Sequence, residues 1–207
     1  MAYCPFCDFE KIKNDFVLYS TKNFFVKAPF GLVTSGHVML VPFADIRTFS
    51  EIPKEIKQEF VELKEKVCQS IKKAFAEPFM LEYGVRLQTV PHAHMHFVPK
   101  NGRGYSISNF QEEFVNSSGL PYEIADENRV REVFQKEGEY IRFEYQEKIY
   151  LFRTKKIEDV SSLNYRDFFG NKKGLKGVSD WRTLSQDEKD ADHQRREETA
   201  KLLNFVH

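Results

Sequence analysis

Short apolar runs bounded by turn-forming residues predict several β-strands in the first hundred residues of the chain. Each run has the length of a strand and ends at Gly, Pro or a short polar stretch. The polar stretch "STKN" divides the first region into two strands with a turn between them. The predicted strand regions are residues 16–30, 36–42, 79–84 and 89–99.

A longer segment, from Pro53 to about Phe75, follows a helical period instead. Apolar residues recur there every three or four positions, with Lys and Glu between them, which predicts a long amphipathic helix. We expect its apolar face to pack on the strands and Pro78 to stop it. The apolar positions are Ile56, Phe60, Leu63, Val67, Ile71 and Phe75.

The second half of the chain predicts a hairpin and another helix. Aromatic and β-branched residues flank "QEK" within residues 139–154, which is typical of two antiparallel strands. Ser185 and Glu188 match a capping box at the start of the charged run "SQDEKDADHQRREETAKLL", whose charges we expect on a solvated face. The whole pattern predicts an α+β fold: an antiparallel sheet with a long helix packed on it, plus a C-terminal α/β extension.

Composition narrows the classes of protein that this chain can be. The 207 residues are 41% hydrophobic and 14% aromatic, which is enough for a real core and excludes a disordered chain. Lys and Arg number 31, as do Asp and Glu, so nothing in the net charge indicates nucleic acid or a membrane surface as a partner. The apolar runs are too short to span a bilayer, and no signal-peptide pattern opens the chain, so we expect a cytoplasmic protein.

Three of the six histidines stand at every second position of "PHAHMHFVP". In a strand, this spacing places His92, His94 and His96 on one face and leaves Ala93 and Met95 on the other, facing the core. One interpretation is an exposed polar face on a half-buried strand. Clustered imidazoles also suit a metal site, or a phosphate site with a nucleophilic imidazole.

The segment "QTVPHAHMHFVP" (88–99) resembles the signature of the histidine-triad (HIT) superfamily of nucleotide hydrolases and transferases, which is His-x-His-x-His followed by two apolar residues. Upstream, "GHVMLVP" (36–42) resembles the Gly-His strand that lies ahead of the family's long helix. "CPFC" (4–7) resembles the paired cysteines near the N-terminus of many members, and the three motifs stand in the family's order. The resemblance covers about residues 4–100 and implies a HIT-like fold.

The resemblance also implies roles for individual residues. The middle histidine of the triad, His94, would attack the α-phosphate of a nucleotide and form an intermediate that water then cleaves. His96 would stabilise the phosphate, and a His rather than a Gln at that position favours hydrolysis over transfer. His37 matches a fourth histidine that orients the nucleophile. Gln88 and Thr89 match positions that bind phosphate and leaving-group oxygens.

The spacing of Cys4 and Cys7 suits half of a tetrahedral zinc site or a redox pair. The resemblance implies two further zinc ligands: His92, which we also expect to contact substrate, and a histidine shortly after the Gly-His strand. The chain has no His at the second place, where Asp45 is the nearest acceptable ligand. The implied cofactor is therefore a structural zinc bound by these four residues.

The minimal HIT fold does not explain residues 101–207. We therefore expect a HIT domain over 1–100 and an extension over 101–207 that forms a smaller lobe covering the active site. Its candidate phosphate-binding cations are Arg153, Arg166, Lys172 and Lys173. The acid with which many members hold ribose has no counterpart in "VKAPFGLVTSGH", so aromatic residues could hold the base instead. The candidates, each of which core packing also explains, are Phe24, Phe25 and Phe30.

The function that these expectations favour is hydrolysis of a nucleoside phosphate linkage, in a dinucleoside polyphosphate or a nucleoside phosphoramidate, through a nucleotidyl-histidine intermediate. One alternative is a nucleotidyltransferase or phosphorylase of the same family. Another is a metallohydrolase that binds its catalytic metal with the histidine strand. A third is a non-catalytic module that binds a nucleotide or associates with RNA. We expect a nucleotide as the partner, no membrane or nucleic acid, and a homodimer.

Overall fold

One antiparallel sheet of eight strands organises the part of the chain that the structure describes. The structure is a computed structural model, and it describes residues 4–175, 178, 183–203 and 205. A separate pair of two-residue strands follows the fifth strand. The strands are Val17–Ser20 (β1), Phe24–Lys27 (β2), Val38–Pro42 (β3), Pro78–Gly84 (β4), Met95–Pro99 (β5), Asn101–Gly102 (β6), Tyr105–Ser106 (β7), Glu123–Ala125 (β8), Tyr140–Tyr145 (β9) and Lys148–Phe152 (β10).

Helices connect and cover these strands. Short 3₁₀ and π turns occur between them, among them the 3₁₀ turn Pro5–Cys7. Within the described ranges, no helix combines the length and the apolar composition that crossing a membrane requires. The α-helices are Phe9–Ile12 (α1), Lys54–Ala74 (α2), Glu127–Glu137 (α3), Tyr165–Asp167 (α4) and Gln186–Leu202 (α5).

The strand order of the sheet is β1-β2-β3-β5-β4-β9-β10-β8, and every neighbouring pair is antiparallel. The predicted strands before residue 85 and the predicted hairpin at 139–154 are therefore present, as is the long helix. The α+β prediction is confirmed, with an antiparallel sheet and a long helix packed on it. Pro78 begins β4, four residues after the helix ends at Ala74.

The long helix α2 packs one apolar stripe on the first half of the sheet. Its buried residues share a hydrophobic cluster with Ala93, Met95 and Phe97, whose side chains alternate with those of the triad histidines. The predicted core-facing side of the histidine segment is thus confirmed. The buried residues of α2 are Phe60, Leu63, Val67 and Ile71.

The extension continues the same sheet. Strand β9 pairs with β4 over five residues, from Met80 opposite Glu144 to Gly84 opposite Tyr140. Because side chains alternate along a strand, β4 and β9 also present a second apolar face, away from α2. Aromatic residues of the extension, such as Phe114 and Phe169, cover that face. The boundary at residue 100 stays a prediction, but the sheet and this second core run across it.

The predicted strand at 89–99 is shorter than expected, since only Met95–Pro99 is a strand. Pro91 has no N–H to give to a neighbouring strand, and the backbone around it turns, with the His92 N–H donating to the Val90 carbonyl over 2.8 Å. His92 and His94 therefore precede the strand, and the expectation of three histidines along one strand face was wrong in this respect.

Helix α5 begins with the predicted capping box of Ser185 and Glu188. Its charges do not all face solvent, however, because Asp192, Arg196 and Thr199 are buried. Buried polar groups need hydrogen-bond partners, and these residues find theirs in the backbone between β2 and β3 and in nearby side chains. The expectation of a wholly solvated charged face was therefore wrong.

Asp192 makes the best-defined of these contacts. Its carboxylate accepts hydrogen bonds from the N–H groups of Gly31 (3.1 Å) and Leu32 (2.8 Å), which no strand partner satisfies. Thr199 accepts a third, from the Gly36 N–H at 2.8 Å. Helix α5 thus holds the segment that leads into β3, and we call this segment, residues 28–37, the β2–β3 loop.

Replacing Asp192 by Ala should destabilise the fold by about 2–4 kcal/mol, because two buried N–H groups then lose their acceptor. Urea unfolding measures this change. The matched control is Asp190→Ala, since Asp190 is an exposed residue of the same helix and should cost no more than about 0.5 kcal/mol. Equal stability of the two variants would contradict the assigned role of Asp192.

Candidate active site and metal site

A cavity of about 230 Å³ opens where the histidine segment, the N-terminal segment and the extension meet. His94 and His96 form part of its wall, together with Thr89 and Phe30. Three consecutive residues of the extension, beginning at Asn164, line it as well. The histidines thus line an open cavity, a type of site that suits a small ligand.

His94 is held with one ring nitrogen facing its own backbone. Its Nδ1 lies 2.8 Å from the carbonyl oxygen of His92. A carbonyl oxygen only accepts hydrogen bonds, so Nδ1 carries the proton and Nε2 keeps its lone pair. Burial lowers the pKa of His94 to about 4, and the positive charge of Arg166 contributes to the same shift. At neutral pH the ring is therefore neutral, with a free nucleophilic nitrogen.

Hydrogen bonds also fix the positions of the protons on His37 and His96. The Val33 N–H donates to Nδ1 of His37 over 3.2 Å, so the proton of a neutral His37 is on Nε2. That nitrogen lies 3.0 Å from Nδ1 of His96, which must accept it, leaving the proton of His96 on Nε2. Burial holds the pKa of both histidines well below the usual value. His96 therefore offers an N–H donor beside the lone pair of His94.

The backbone just before His37 requires a glycine, Gly36. Its φ angle is +85°, a conformation that side chains with a Cβ rarely adopt. A Cβ built there would also lie 2.6 Å from the ring of Phe75 at the end of α2. The close approach of the loop to the helix, and with it the position of His37, depends on glycine.

Cys4, Cys7 and His92 come together beside the cavity. The Sγ atoms of both cysteines lie 3.5 Å from Nδ1 of His92. The other nitrogen of His92 is 2.8 Å from the Pro42 carbonyl, to which it must donate. The lone pair of Nδ1 thus faces the two sulfur atoms, as in a metal ligand whose second nitrogen is fixed by a hydrogen bond.

These three residues have the chemistry and spacing of a metal site. Zinc bonds of about 2.3 Å to sulfur and 2.0–2.1 Å to nitrogen, at tetrahedral angles, place the ligand atoms about 3.6 Å apart. The observed 3.5 Å agrees with that value. The Oδ1 atom of Asp45 lies 3.8 Å from Cys7 Sγ and 3.9 Å from His92 Nδ1, and its side chain is exposed. The residues present therefore fit a tetrahedral metal, with Asp45 at the edge of the site.

The metal site and the cavity share one side chain. Phe6 stands between the two cysteines in the sequence and lines the cavity. Its ring centroid lies 5.8 Å from that of His92 and 5.7 Å from that of His94, both edge to face. Anchoring Cys4 and Cys7 to His92 thus also fixes an aromatic wall against His94.

The structure separates the remaining predicted residues into two groups. Thr89 and Phe30 line the cavity. Gln88 is not among the lining residues, and its Nε2 donates to the Arg47 carbonyl over 2.7 Å. Phe24 and Phe25 are fully buried on opposite faces of β2 and belong to the core, so of the three candidate aromatic residues only Phe30 reaches the cavity.

Only one of the four candidate cations of the extension lies at the cavity, and it is Arg166. Arg153 is paired with Glu137, and Lys173 with Glu113. Lys172 donates to the carbonyl of Ser117. The expectation that this group closes over a polyphosphate was therefore wrong for three of its members.

Sequence reasoning missed several residues of the cavity wall. Tyr165 comes from the extension, whereas Asp15 lies just before β1 and Lys27 is the last residue of β2. Lys27 donates to Asp15 over 2.8 Å, and Arg196 contacts the same carboxylate. Burial opposes ionisation of Asp15, but these two cations outweigh it and lower its pKa. Nothing in the local sequence marks such residues, because distant segments bring them together.

Part of the chain matches a known domain family. Residues 10–103 match the family model of the HIT domain. Curated proteins give no match. Similar solved structures include a hypothetical histidine triad nucleotide-binding protein from Sulfolobus tokodaii strain 7, at 22% identity, covering 51% of this chain and 73% of that chain with a TM-score of 0.43.

Two other solved structures have similar identities, coverages and TM-scores. A HIT family protein from Bacillus anthracis is 22% identical and covers 55% of this chain and 86% of that chain, with a TM-score of 0.43. A zinc-bound histidine triad family protein from Mycobacterium smegmatis is 18% identical. It covers 53% of this chain and 86% of that chain, with a TM-score of 0.41. The part of the chain that carries the histidine segment, residues 10–103, thus matches the HIT domain.

Proposed function

We propose that this protein is a hydrolase that cleaves a nucleoside phosphate linkage through a nucleotidyl intermediate on His94. The observation that carries the proposal is the hydrogen bond from His94 Nδ1 to the His92 carbonyl, because it leaves the lone pair of Nε2 free at the cavity. A neutral imidazole is a good nucleophile at neutral pH, and this ring is buried and neutral. The family match supports a nucleotide as the ligand.

The reaction takes place in two displacements. The lone pair of His94 Nε2 forms a bond to the α-phosphorus, while the bond from phosphorus to the leaving group breaks and its electron pair departs with that group. Water then attacks the same phosphorus. The phosphorus–nitrogen bond breaks, its electrons return to Nε2, and a nucleoside monophosphate leaves. Both steps depend mainly on positioning and on stabilisation of the phosphate charge.

His96 supplies the stabilising donor in both displacements. Its Nε2–H, fixed by the chain from Val33 through His37, would donate to a phosphate oxygen next to the attacking nitrogen. The rings of His37 and His96 are both neutral, so they stabilise the phosphate charge by hydrogen bonding. This arrangement supports His37 as an orienting residue rather than a direct contact.

The distribution of the histidines favours this proposal over a metallohydrolase. His92 faces the cysteines, whereas His94 and His96 line the cavity, so the potential metal ligands and the potential nucleophile point to different places. A transferase or phosphorylase would use the same first step, and the second substrate decides between them. Comparing release of the nucleotide with and without inorganic phosphate distinguishes these activities.

Zinc is the metal that we propose for Cys4, Cys7 and His92, with Asp45 as the fourth ligand. The hydrogen bond with the neighbouring Cys4 is the largest reason that the pKa of Cys7 rises to about 12, followed by burial and by repulsion between the two sulfur atoms. A bound divalent cation removes that repulsion and makes thiolates the stable form. The ion would be structural, and its effect on the chemistry would be to hold Phe6 and the histidine segment in place.

Replacing His94 by Ala should lower kcat by at least about 10³-fold, since no other ring nitrogen takes its place at the phosphorus. Mass spectrometry of the protein quenched during turnover should show a nucleotidyl adduct on His94 in the wild type and none in the variant. The matched control is His193→Ala, because His193 lies exposed on α5. Full activity of His94→Ala, or an adduct on another residue, would refute the assignment.

The purified protein should contain about one zinc ion per chain, and Cys7→Ser should lose it because a serine hydroxyl is a poor zinc ligand. Losing the metal should lower Tm by at least about 5 °C. Metal analysis and thermal unfolding measure the two effects. Cys68→Ser is the control, because Cys68 lies on α2 next to Met80. A wild-type protein that binds no zinc even when zinc is added would end this proposal.

The free energy of unfolding should decrease as the pH falls below about 6.5. Folding holds the pKa of His37 and His96 well below that ordinary value, so the unfolded chain takes up protons that the folded chain refuses. Urea unfolding at a series of pH values measures the slope. His37→Gln removes one of the three histidines whose pKa is lowered by burial, the third being His94, and should give a shallower slope. Identical slopes would contradict the neutral state assigned to His37.

A further inference from the structure

Three consecutive residues of the extension, Asn164, Tyr165 and Arg166, line the same cavity as His94 and His96. The Asn164 side chain accepts the backbone N–H of Arg166 at 3.0 Å, which starts helix α4. The Tyr165 N–H donates to the hydroxyl of Tyr83 over 2.7 Å, and this hydroxyl donates in turn to the Leu163 carbonyl over 2.9 Å. The segment is therefore fixed to strand β4 rather than loosely placed.

Arg166 is oriented by backbone carbonyls. Its Nη1 donates to Gly31 and to Val178, and its Nη2 donates to Phe30, each over 3.0 Å. These bonds use three of the five donors of a guanidinium. Bonds to the described residues leave the Nε–H and one hydrogen on Nη2 unused, and this side of a guanidinium matches two oxygens of one phosphate group.

The charge of Arg166 is not balanced in the part of the chain that the structure describes. Carbonyl oxygens orient the guanidinium but leave its full positive charge, and no described carboxylate pairs with it. By contrast, the other cation of the wall, Lys27, is bound to Asp15. The charge of Arg166 acts on His96, whose pKa it lowers in addition to the larger effect of burial.

Tyr165 provides an independent observation. It is only 3% exposed, yet its hydroxyl has no hydrogen-bond partner among the described residues. Burying a hydroxyl without a partner is unfavourable, so a ligand that supplies one is expected. The Tyr165 ring centroid lies 5.0 Å from that of His96 and 5.9 Å from that of His37. Tyr165 and Arg166 both line the cavity, and the guanidinium carbon of Arg166 lies 5.2 Å from the centroid of the Tyr165 ring.

The order of the rings indicates which part of a substrate this wall contacts. His94 is 5.2 Å from His96, and His96 is 5.0 Å from Tyr165, measured between ring centroids. His96 thus stands between the nucleophile and the extension. In an in-line displacement the leaving group lies opposite the attacking atom. The wall formed by the extension is therefore placed for the leaving group, and the histidines for the phosphate that is transferred.

We infer that Tyr165 and Arg166 form an anion subsite for a phosphate group on the leaving side, so that the substrates are nucleotides with a phosphoanhydride bond. Dinucleoside polyphosphates and nucleoside diphosphates belong to this class, whereas phosphoramidates with an uncharged amine do not. This inference rests on the proposed function. As His94 Nε2 bonds to the α-phosphorus, the bridging oxygen leaves with the electron pair of its bond, and the guanidinium neutralises the phosphate that departs.

Binding of unreactive ligands tests the subsite without any turnover. Isothermal titration calorimetry compares the nucleoside monophosphates of adenosine and guanosine with their α,β-methylene diphosphates. The wild type should bind one of these diphosphates at least about tenfold more tightly than its monophosphate, as expected for charge-assisted hydrogen bonds. Arg166→Gln should abolish this preference, and Tyr165→Phe should reduce it several-fold.

Tyr165→Phe is the more informative variant, because it removes only a hydroxyl that has no described partner and should leave the fold intact. It decides the question if Arg166→Gln fails to fold. Arg153→Gln is the matched control, since Arg153 is an arginine of the extension that lies away from the cavity and should not affect the preference. The inference is wrong if the wild type shows no preference, or if the variants weaken mono- and diphosphate binding equally.

Turnover separates this inference from the proposed function. Tyr165→Phe should lower kcat/KM for diadenosine triphosphate several-fold more than kcat/KM for adenosine phosphoramidate, whose leaving group is ammonia. Equal losses on both substrates would overturn the inference. No turnover and no adduct on His94 would refute the proposed function, while the binding preference would still test the subsite.

Discussion

Two hydrogen bonds to backbone carbonyls control the chemistry of the histidine segment. The Pro42 carbonyl accepts from Nε2 of His92, and the His92 carbonyl accepts from Nδ1 of His94. Each bond fixes one tautomer, and the two tautomers are opposite. The lone pair of His92 therefore faces the cysteines while that of His94 faces the cavity. Two chemically identical side chains, two residues apart, are thereby prepared for different tasks.

Burial adds the second condition, which is that the rings stay neutral. Desolvation lowers the pKa of His37, His94 and His96, and the charge of Arg166 lowers each further. Placing a cation next to buried imidazoles would be unfavourable if they were charged. With neutral rings, the same cation leaves the cavity positive and therefore suited to phosphate. The neutral state of the rings and the positive charge of the cavity wall thus follow from one arrangement.

Local sequence patterns predict much of the fold. The features that they do not predict have one physical cause in common, which is contact between distant segments. Apolar periodicity predicts α2, the early strands and the β9–β10 hairpin, because those patterns arise within a few residues. Resemblance supplied the candidate histidines and cysteines. Pairing of β9 with β4 joins residues about sixty positions apart, and no local signal encodes it. The sequence also does not distinguish Asp192 from a solvent-exposed charge. Its partners are backbone N–H groups, which every residue except proline has, so no particular residue type marks the contact.

The β2–β3 loop shows why the extension belongs to the site. Gly31 donates its N–H to Asp192 of α5, and its carbonyl accepts from Arg166 next to the cavity. Farther along the same loop, Val33 donates to His37, so the backbone that orients this histidine is held by two helices of the extension. Without those helices the loop would lose partners for both its N–H and its carbonyl groups. The histidine segment and the extension thus build one cavity together, because the extension lines part of it and also holds the loop that orients His37.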